Sequence, residues 1–230
     1  MLQAPRWYLD QRKAVPPERY REHFASEAAA VGAILEEPEE AYHASVASLW
    51  TPERDPSEPL SEWTARSELL NLLGALVSLI RPNVVVETGV ALGFSTATIL
   101  AAMRENDLGH LYSVDLPHVQ YDHERETGSA VPGELRDRWT LMLGRSEKVL
   151  PRLLREVEPV DLFFHDANHA YSAQLREYRA AWPHLRSGGV LVSDDVGNPA
   201  FVEFAAEVGA RPYLVPGSRS DSAVGLVRKG

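Results

Sequence analysis

From Asn83 to the end of the chain, short apolar runs alternate with helix-patterned stretches, and this alternation constrains the fold more than any other feature. VVVET (84–88), HLYSVDL (110–116), WTLMLG (139–144), VDLFFHD (160–166) and GGVLVSDD (188–195) read as strands. The stretches 95–106, 146–156, 171–186 and 199–208 read as the helices between and after them. VVVET has no polar alternation, as expected of a strand buried on both faces. Strand–helix alternation points to a parallel, doubly wound sheet. RPYLVP (211–216) and SAVGLVRK (222–229) then follow one another too closely for a crossover helix, so this last pair must be antiparallel.

Upstream, 18–35 and 39–50 are helix-patterned, and TPERDPSEP (51–59) is a loop, its three prolines removing donors and fixing φ. Ser61 is placed to cap a helix running to Ile80, with Leu69, Leu70, Leu72, Leu73, Leu76, Val77 and Ile80 at helical spacing. The division expected is an N-terminal helical extension, 1–60, before one α/β domain, 61–230. The extension could cover the mouth of a site or make a homo-oligomer contact.

Composition removes several function classes. A formal net charge of −10 with no Lys/Arg run argues against a nucleic-acid partner. The absence of cysteine excludes disulfides, thiolate nucleophiles and zinc–thiolate sites. MLQAPRWYLDQRK carries no apolar run before a cleavage site, and apolar stretches are broken well short of the roughly 20 residues a membrane helix needs. A cytoplasmic chain without membrane contact is expected.

The first chemical constellation is Glu87-Thr88-Gly89-Val90-Ala91-Leu92-Gly93-Phe94-Ser95-Thr96, where a buried strand should turn into a helix. Gly89 and Gly93 would permit a sharp bend and close approach of a ligand, and the helix N-terminus beyond them offers free N–H groups. Glu87 ends an apolar strand, where a carboxylate is costly without a partner. A cationic ligand such as S-adenosylmethionine would supply one. Asp115, ending the second strand, can accept hydrogen bonds from ribose hydroxyls. The glycine spacing lacks the third glycine of the dinucleotide fingerprint, which places an NAD-dependent oxidoreductase last among the candidates.

E-T-G-x-x-x-G-x-S followed by V-D resembles the first two motifs of class I methyltransferases, and the similarity extends over residues 83–230. That resemblance implies a Rossmann-like seven-stranded sheet of order 3-2-1-4-5-7-6 with strand 7 antiparallel. It also implies S-adenosylmethionine as cofactor, with contacts from Glu87, Thr88, Gly89, Gly93, Ser95 and Asp115. Gly144-Arg145-Ser146 matches the loop flanking the adenine, and Asp166 borders the same pocket.

The second constellation is carboxylate-rich. Strand four ends in His165-Asp166, followed by Asn168, His169 and Tyr171; strand five ends in Asp194-Asp195. These ends should neighbour the glycine turn at the carboxyl edge of the sheet. Three close carboxylates repel unless a cation compensates, and Mg²⁺ with oxygen ligands from Asp166, Asp194 and Asp195 would do so. His169, three residues after Asp166, could take a hydroxyl proton near neutral pH, with Asp166 as the second candidate. His165 and Tyr171 read as packing residues. The pattern D-x-x-H-x-Y, then D-D, resembles the metal-dependent sugar O-methyltransferases of the macrocin type and, more distantly, catechol O-methyltransferases. It departs from the catechol type in carrying Asp195 where Asn is usual and His169 where Lys is frequent. The resemblance implies methylation of a hydroxyl on a small molecule, with His169 or Asp166 as base.

Residues 116–138 form a long connection, and His118, Tyr121, Asp122, His123 and Arg125 could face a substrate from it. Two other readings use the same scaffold: a cephalosporin-hydroxylase-like metalloenzyme, and a non-catalytic S-adenosylmethionine-binding protein.

Overall fold

The computed structural model describes residues 22–50, 67–116, 127–217 and 223–230. Seven strands form one sheet: β1 (Val84–Thr88), β2 (His110–Asp115), β3 (Trp139–Leu143), β4 (Val160–His165), β5 (Leu185–Ser193), β6 (Tyr213–Pro216) and β7 (Ala223–Arg228). Their order is β3-β2-β1-β4-β5-β7-β6, and β7 runs antiparallel to both β5 and β6. The parallel sheet with an antiparallel end, expected from the alternation and the terminal pair, is observed, and so is the strand order that the resemblance implies.

Helices cover both faces: α1 (Glu27–Leu35), α2 (Glu39–Ser48), α3 (Ser67–Ile80), α4 (Phe94–Asn106), α5 (Ser146–Val157), α6 (Tyr171–Ala181) and α7 (Ala200–Glu207). Because strand side chains alternate, neighbouring residues feed opposite cores. Val85, Leu162 and Phe164 pack with α1, α3 and α4, whereas Val86, Phe163 and Leu191 pack with α5, α6 and α7. Every residue of β4 is buried, which is why its sequence reads as a continuous apolar run.

Three local features depart from the sequence reading. The first helix among the described residues begins at Glu27, because Phe24 bridges to Leu214 of β6 and the Ser26 hydroxyl caps the helix. The helix after β4 ends at Ala181, since Pro183 shapes a single 3₁₀ turn and the chain enters β5 at Leu185. The second half of the long connection holds structure, a 3₁₀ helix over Gly133–Arg138 with Val131 and Leu135 in the core. The proline-rich loop, the Ser61 cap and the five connection residues from His118 to Arg125 lie outside the described residues. No helix among the described residues is long and apolar enough to cross a membrane.

α1 and α2 are built into the main body. Ala28, Ala30, Val31, Ile34 and Tyr42 share a core with α3 and α4, and Arg228 of β7 donates to the Ile34 carbonyl at 2.8 Å.

Candidate active site

Parallel register lines up the strand ends. Thr88 pairs with Val114 and His165, Asp115 with Leu143, and His165 with Ser193. The residues that follow, Gly89, Leu116, Gly144, Asp166 and Asp194, therefore lie along one carboxyl edge, where open α/β sheets bind ligands.

The glycine turn is held from several sides. Gly89 lies at φ 87° and Gly93 at φ 92°, in the left-handed region. A Cβ on Gly89 would fall 1.9 Å from the Asp166 carbonyl oxygen, and one on Gly93 would fall 2.9 Å from Cα of Gly128. Both glycines thus admit neighbouring backbone. The Gly128 and Ala130 amides donate to the carbonyls of Ala91 and Leu92, so the described part of the long connection is fastened onto the turn. The Asp166 amide, in turn, donates to the Thr88 carbonyl at 2.7 Å.

Glu87 has partners within the chain. It is fully buried, and its carboxylate accepts hydrogen bonds from Ser95, Thr96 and Ser113 at 2.7–2.9 Å. Its partners are hydroxyls of α4 and β2, which a linear sequence could not reveal. Burial pushes its carboxyl up to about 7, against the pull of the three hydroxyls. Ser95 is committed to Glu87, while Thr88 and Ser146 donate to Glu177. The side chains of Glu87, Thr88, Ser95 and Ser146 therefore brace the edge from behind. Asp115 is half-buried and accepts the Val90 and Ala91 amides on Oδ2 at 3.0 and 2.8 Å, and the Leu116 amide on Oδ1. It joins β2 to the turn, and Oδ1 retains acceptor capacity. Leu116 and Leu143, which the sequence reading passed over, stand 53% and 54% exposed on either side of it. Leucine at consecutive strand ends was the signal available.

The carboxylate cluster is organised around an imidazole. His169 Nε2 lies 3.3 Å from Asp166 Oδ1, and Nδ1 lies 3.3 Å from Asp195 Oδ2. These are ion-pair distances, and Nε2 has no hydrogen-bond partner. Burial pulls the imidazole down, but the two carboxylates, Asp166 foremost, outweigh it and push it up to about 10. The neutral imidazole expected near pH 7 is corrected accordingly: both nitrogens face carboxylates. The Asn198 amide donates to the His169 carbonyl and to Gln174, fixing the segment.

The expected Mg²⁺ ligands Asp166, Asp194 and Asp195 do not fit a metal ion as they stand. His169 sits between two of them, and among the described residues no group of three or more His, Cys, Asp or Glu side chains is placed to hold one.

Comparisons with known proteins agree with this architecture. Residues 86–196 match a family described as a methyltransferase domain. No curated protein matches the chain. Among solved structures, the O-methyltransferase TomG from Streptomyces achromogenes, involved in tomaymycin synthesis and in complex with SAM, superposes over all of both chains with TM-score 0.59 and 18% identity. An O-methyltransferase from Bacillus cereus in complex with SAH matches at 18% identity and TM-score 0.56, over 86% of this chain and 91% of its own. CalS11, a TDP-rhamnose 3'-O-methyltransferase of calicheamicin biosynthesis, matches at 20% identity and TM-score 0.56, over 83% and 94%. Residues 86–196 thus resemble a methyltransferase domain, and the chain shares the seven-stranded Rossmann-like fold of these methyltransferase structures.

Proposed function

We propose that the protein transfers a methyl group from S-adenosylmethionine to a hydroxyl of a small molecule, in the class of sugars, polyketides or phenols. One observation carries the reading: the glycine turn with Asp115 and the Asp166–His169–Asp195 group lie on adjacent strand ends of one sheet edge.

The turn would hold the cofactor, with Asp115 accepting from its ribose hydroxyls and Leu116 and Leu143, beside Gly144, offering apolar surface to its adenine. The acceptor hydroxyl approaches His169 Nε2, the buried nitrogen without a hydrogen-bond partner. Asp195 holds Nδ1 and so orients the ring, as a carboxylate does for a histidine base. The oxygen attacks the methyl carbon in line with sulfur; the O–C bond forms, the S–C bond breaks with its electrons leaving on sulfur, and the hydroxyl proton passes to Nε2. Because the resting imidazole is protonated, Nε2 must first release its proton, so turnover rises with pH toward the alkaline range. Asp166 is the runner-up base. Holding two substrates in register in a site shielded from water supplies much of the acceleration.

No step here runs through a divalent cation. A cation requirement would mean that His169 swings aside and Asp166, Asp194 and Asp195 regroup. The testing assay is methyl transfer from labelled S-adenosylmethionine to a panel of hydroxylated sugars, polyketides and phenols, with Mg²⁺ and with EDTA. Transfer to oxygen supports the reading; binding of S-adenosylmethionine without transfer to any hydroxyl counts against it.

A further inference from the structure

Glu177 is the least explained carboxylate in the molecule. It sits on α6 with 1% exposure, surrounded by a core of Leu175, Tyr178 and Ala181. Burying a carboxylate there is costly unless it is fully bonded. It is: Oε2 accepts from the Thr88 hydroxyl at 2.7 Å and meets His165 Nδ1 at 2.8 Å, while Oε1 accepts from the Ser146 hydroxyl. Burial works against the ionised form, but His165 and the two hydroxyls outweigh it and hold the carboxyl below its usual range.

What distinguishes these partners is where they sit. Thr88 is the last residue of β1 and precedes Gly89. His165 is the last residue of β4 and precedes Asp166. Ser146 opens α5, directly after the Gly144-Arg145 turn that follows β3. One carboxylate therefore gathers the three segments that form the floor of the edge. They lie 89, 12 and 31 residues from it in sequence. The tolerance at this junction is small, because the Gly89 Cα and the Asp166 carbonyl approach closely enough to exclude any Cβ. Shifting β1 against β4 would move the cofactor turn relative to the Asp166–His169 arm. An apolar residue would fill the same volume but would bond none of the three.

We propose that Glu177 is a positioning residue that sets the cofactor turn, the adenine-side loop and the Asp166–His169 arm in register for ligand binding. This rests on the reading of the edge as the S-adenosylmethionine site. Glu177 touches no ligand itself and acts through Thr88, Ser146 and His165.

The test is calorimetric titration of the full chain with S-adenosylhomocysteine, well below the melting transition, for wild type, Glu177→Gln and Glu177→Leu. Gln keeps the volume and an oxygen for Thr88 and His165, and Ser146 can turn its hydroxyl to accept from the amide. Leu keeps bulk alone. The expected order of affinity is wild type, then Gln, then Leu, with Leu weaker by about tenfold or more, the scale seen when a group orienting a binding residue is removed. If the Leu variant fails to fold, the Gln variant carries the test, with a loss beyond about twofold expected. Leu72→Ala, a fully buried change on α3, provides the comparison: it should lower the Tm yet leave affinity within about twofold, as distant sites behave independently. Glu177 variants that melt lower but bind like wild type would overturn the proposal and leave Glu177 a fold residue. A wild-type protein that fails to bind S-adenosylhomocysteine would instead remove the cofactor reading, and this inference with it.

Discussion

At the residue scale, acids at strand ends were legible in the sequence but their partners were not. Glu87 was read as awaiting a cationic ligand, yet three hydroxyls from two other elements satisfy it. Its carboxyl is raised from 4.5 to about 7 by burial, so between those values the folded protein holds a proton that the unfolded chain has released. The associated stability is present below the lower value and lost as pH rises through the upper one. Glu87→Gln, which cannot ionise, should therefore gain stability relative to wild type as pH rises from about 5 to about 8. Melting curves at the two ends check this; a constant difference would contradict it. For His169 the raised group is a base. Its charge stabilises the fold fully below about 6.5, and that contribution fades as pH rises through about 10. Wild type should lose Tm more steeply than His169→Gln over that interval. His169→Ala should cost about 10²–10⁴ in kcat and remove the alkaline rise in rate, the scale of a lost general base. Near-normal turnover with the rise retained would take the role away from His169. Asp115→Ala should weaken S-adenosylhomocysteine binding by about 1–3 kcal/mol, since a buried ligand hydroxyl and the turn amides lose a charged acceptor together.

At the element scale, run length, β-branched content and turn chemistry revealed the strands and the turn after β1, because burial on both faces leaves short apolar runs bounded by turn residues. What stayed hidden was non-local. Gly89 and Gly93 were legible as glycines that a turn needs, but the groups approaching them, the Asp166 carbonyl and Gly128, come from segments far along the chain. The same holds for Glu177, which nothing in the helix pattern of 171–186 singles out and whose partners stand at the ends of β1 and β4 and the start of α5. Gly89→Ala combines a positive φ with a backbone collision at 1.9 Å, so it should cost more than about 2 kcal/mol and abolish cofactor binding. Thermal melts and a titration of the same sample measure both; a stable, binding-competent alanine variant would show that the turn and the β4 end are less tightly apposed than described.

At the scale of the whole molecule, chain logic alone revealed a parallel doubly wound sheet ending in an antiparallel pair, while the strand order came from the resemblance to class I methyltransferases. The status of the N-terminal helices was not, because their packing partners lie in α3, β6 and β7. The described parts of α1 and α2 share the main core, so unfolding should be a single transition with coincident far-UV and tryptophan signals. A chain beginning at residue 51 should lose that cooperativity, as it would strip cover from Leu72, Leu73 and Leu76. The central claim is that the carboxyl edge is an S-adenosylmethionine site facing an acceptor-binding arm. A crystal structure with S-adenosylhomocysteine tests it most directly. The account predicts one molecule over the Gly89–Gly93 turn, ribose on Asp115, adenine between Leu116 and Leu143, and sulfur facing His169. Density elsewhere, or a vacant edge at saturating ligand, would contradict it.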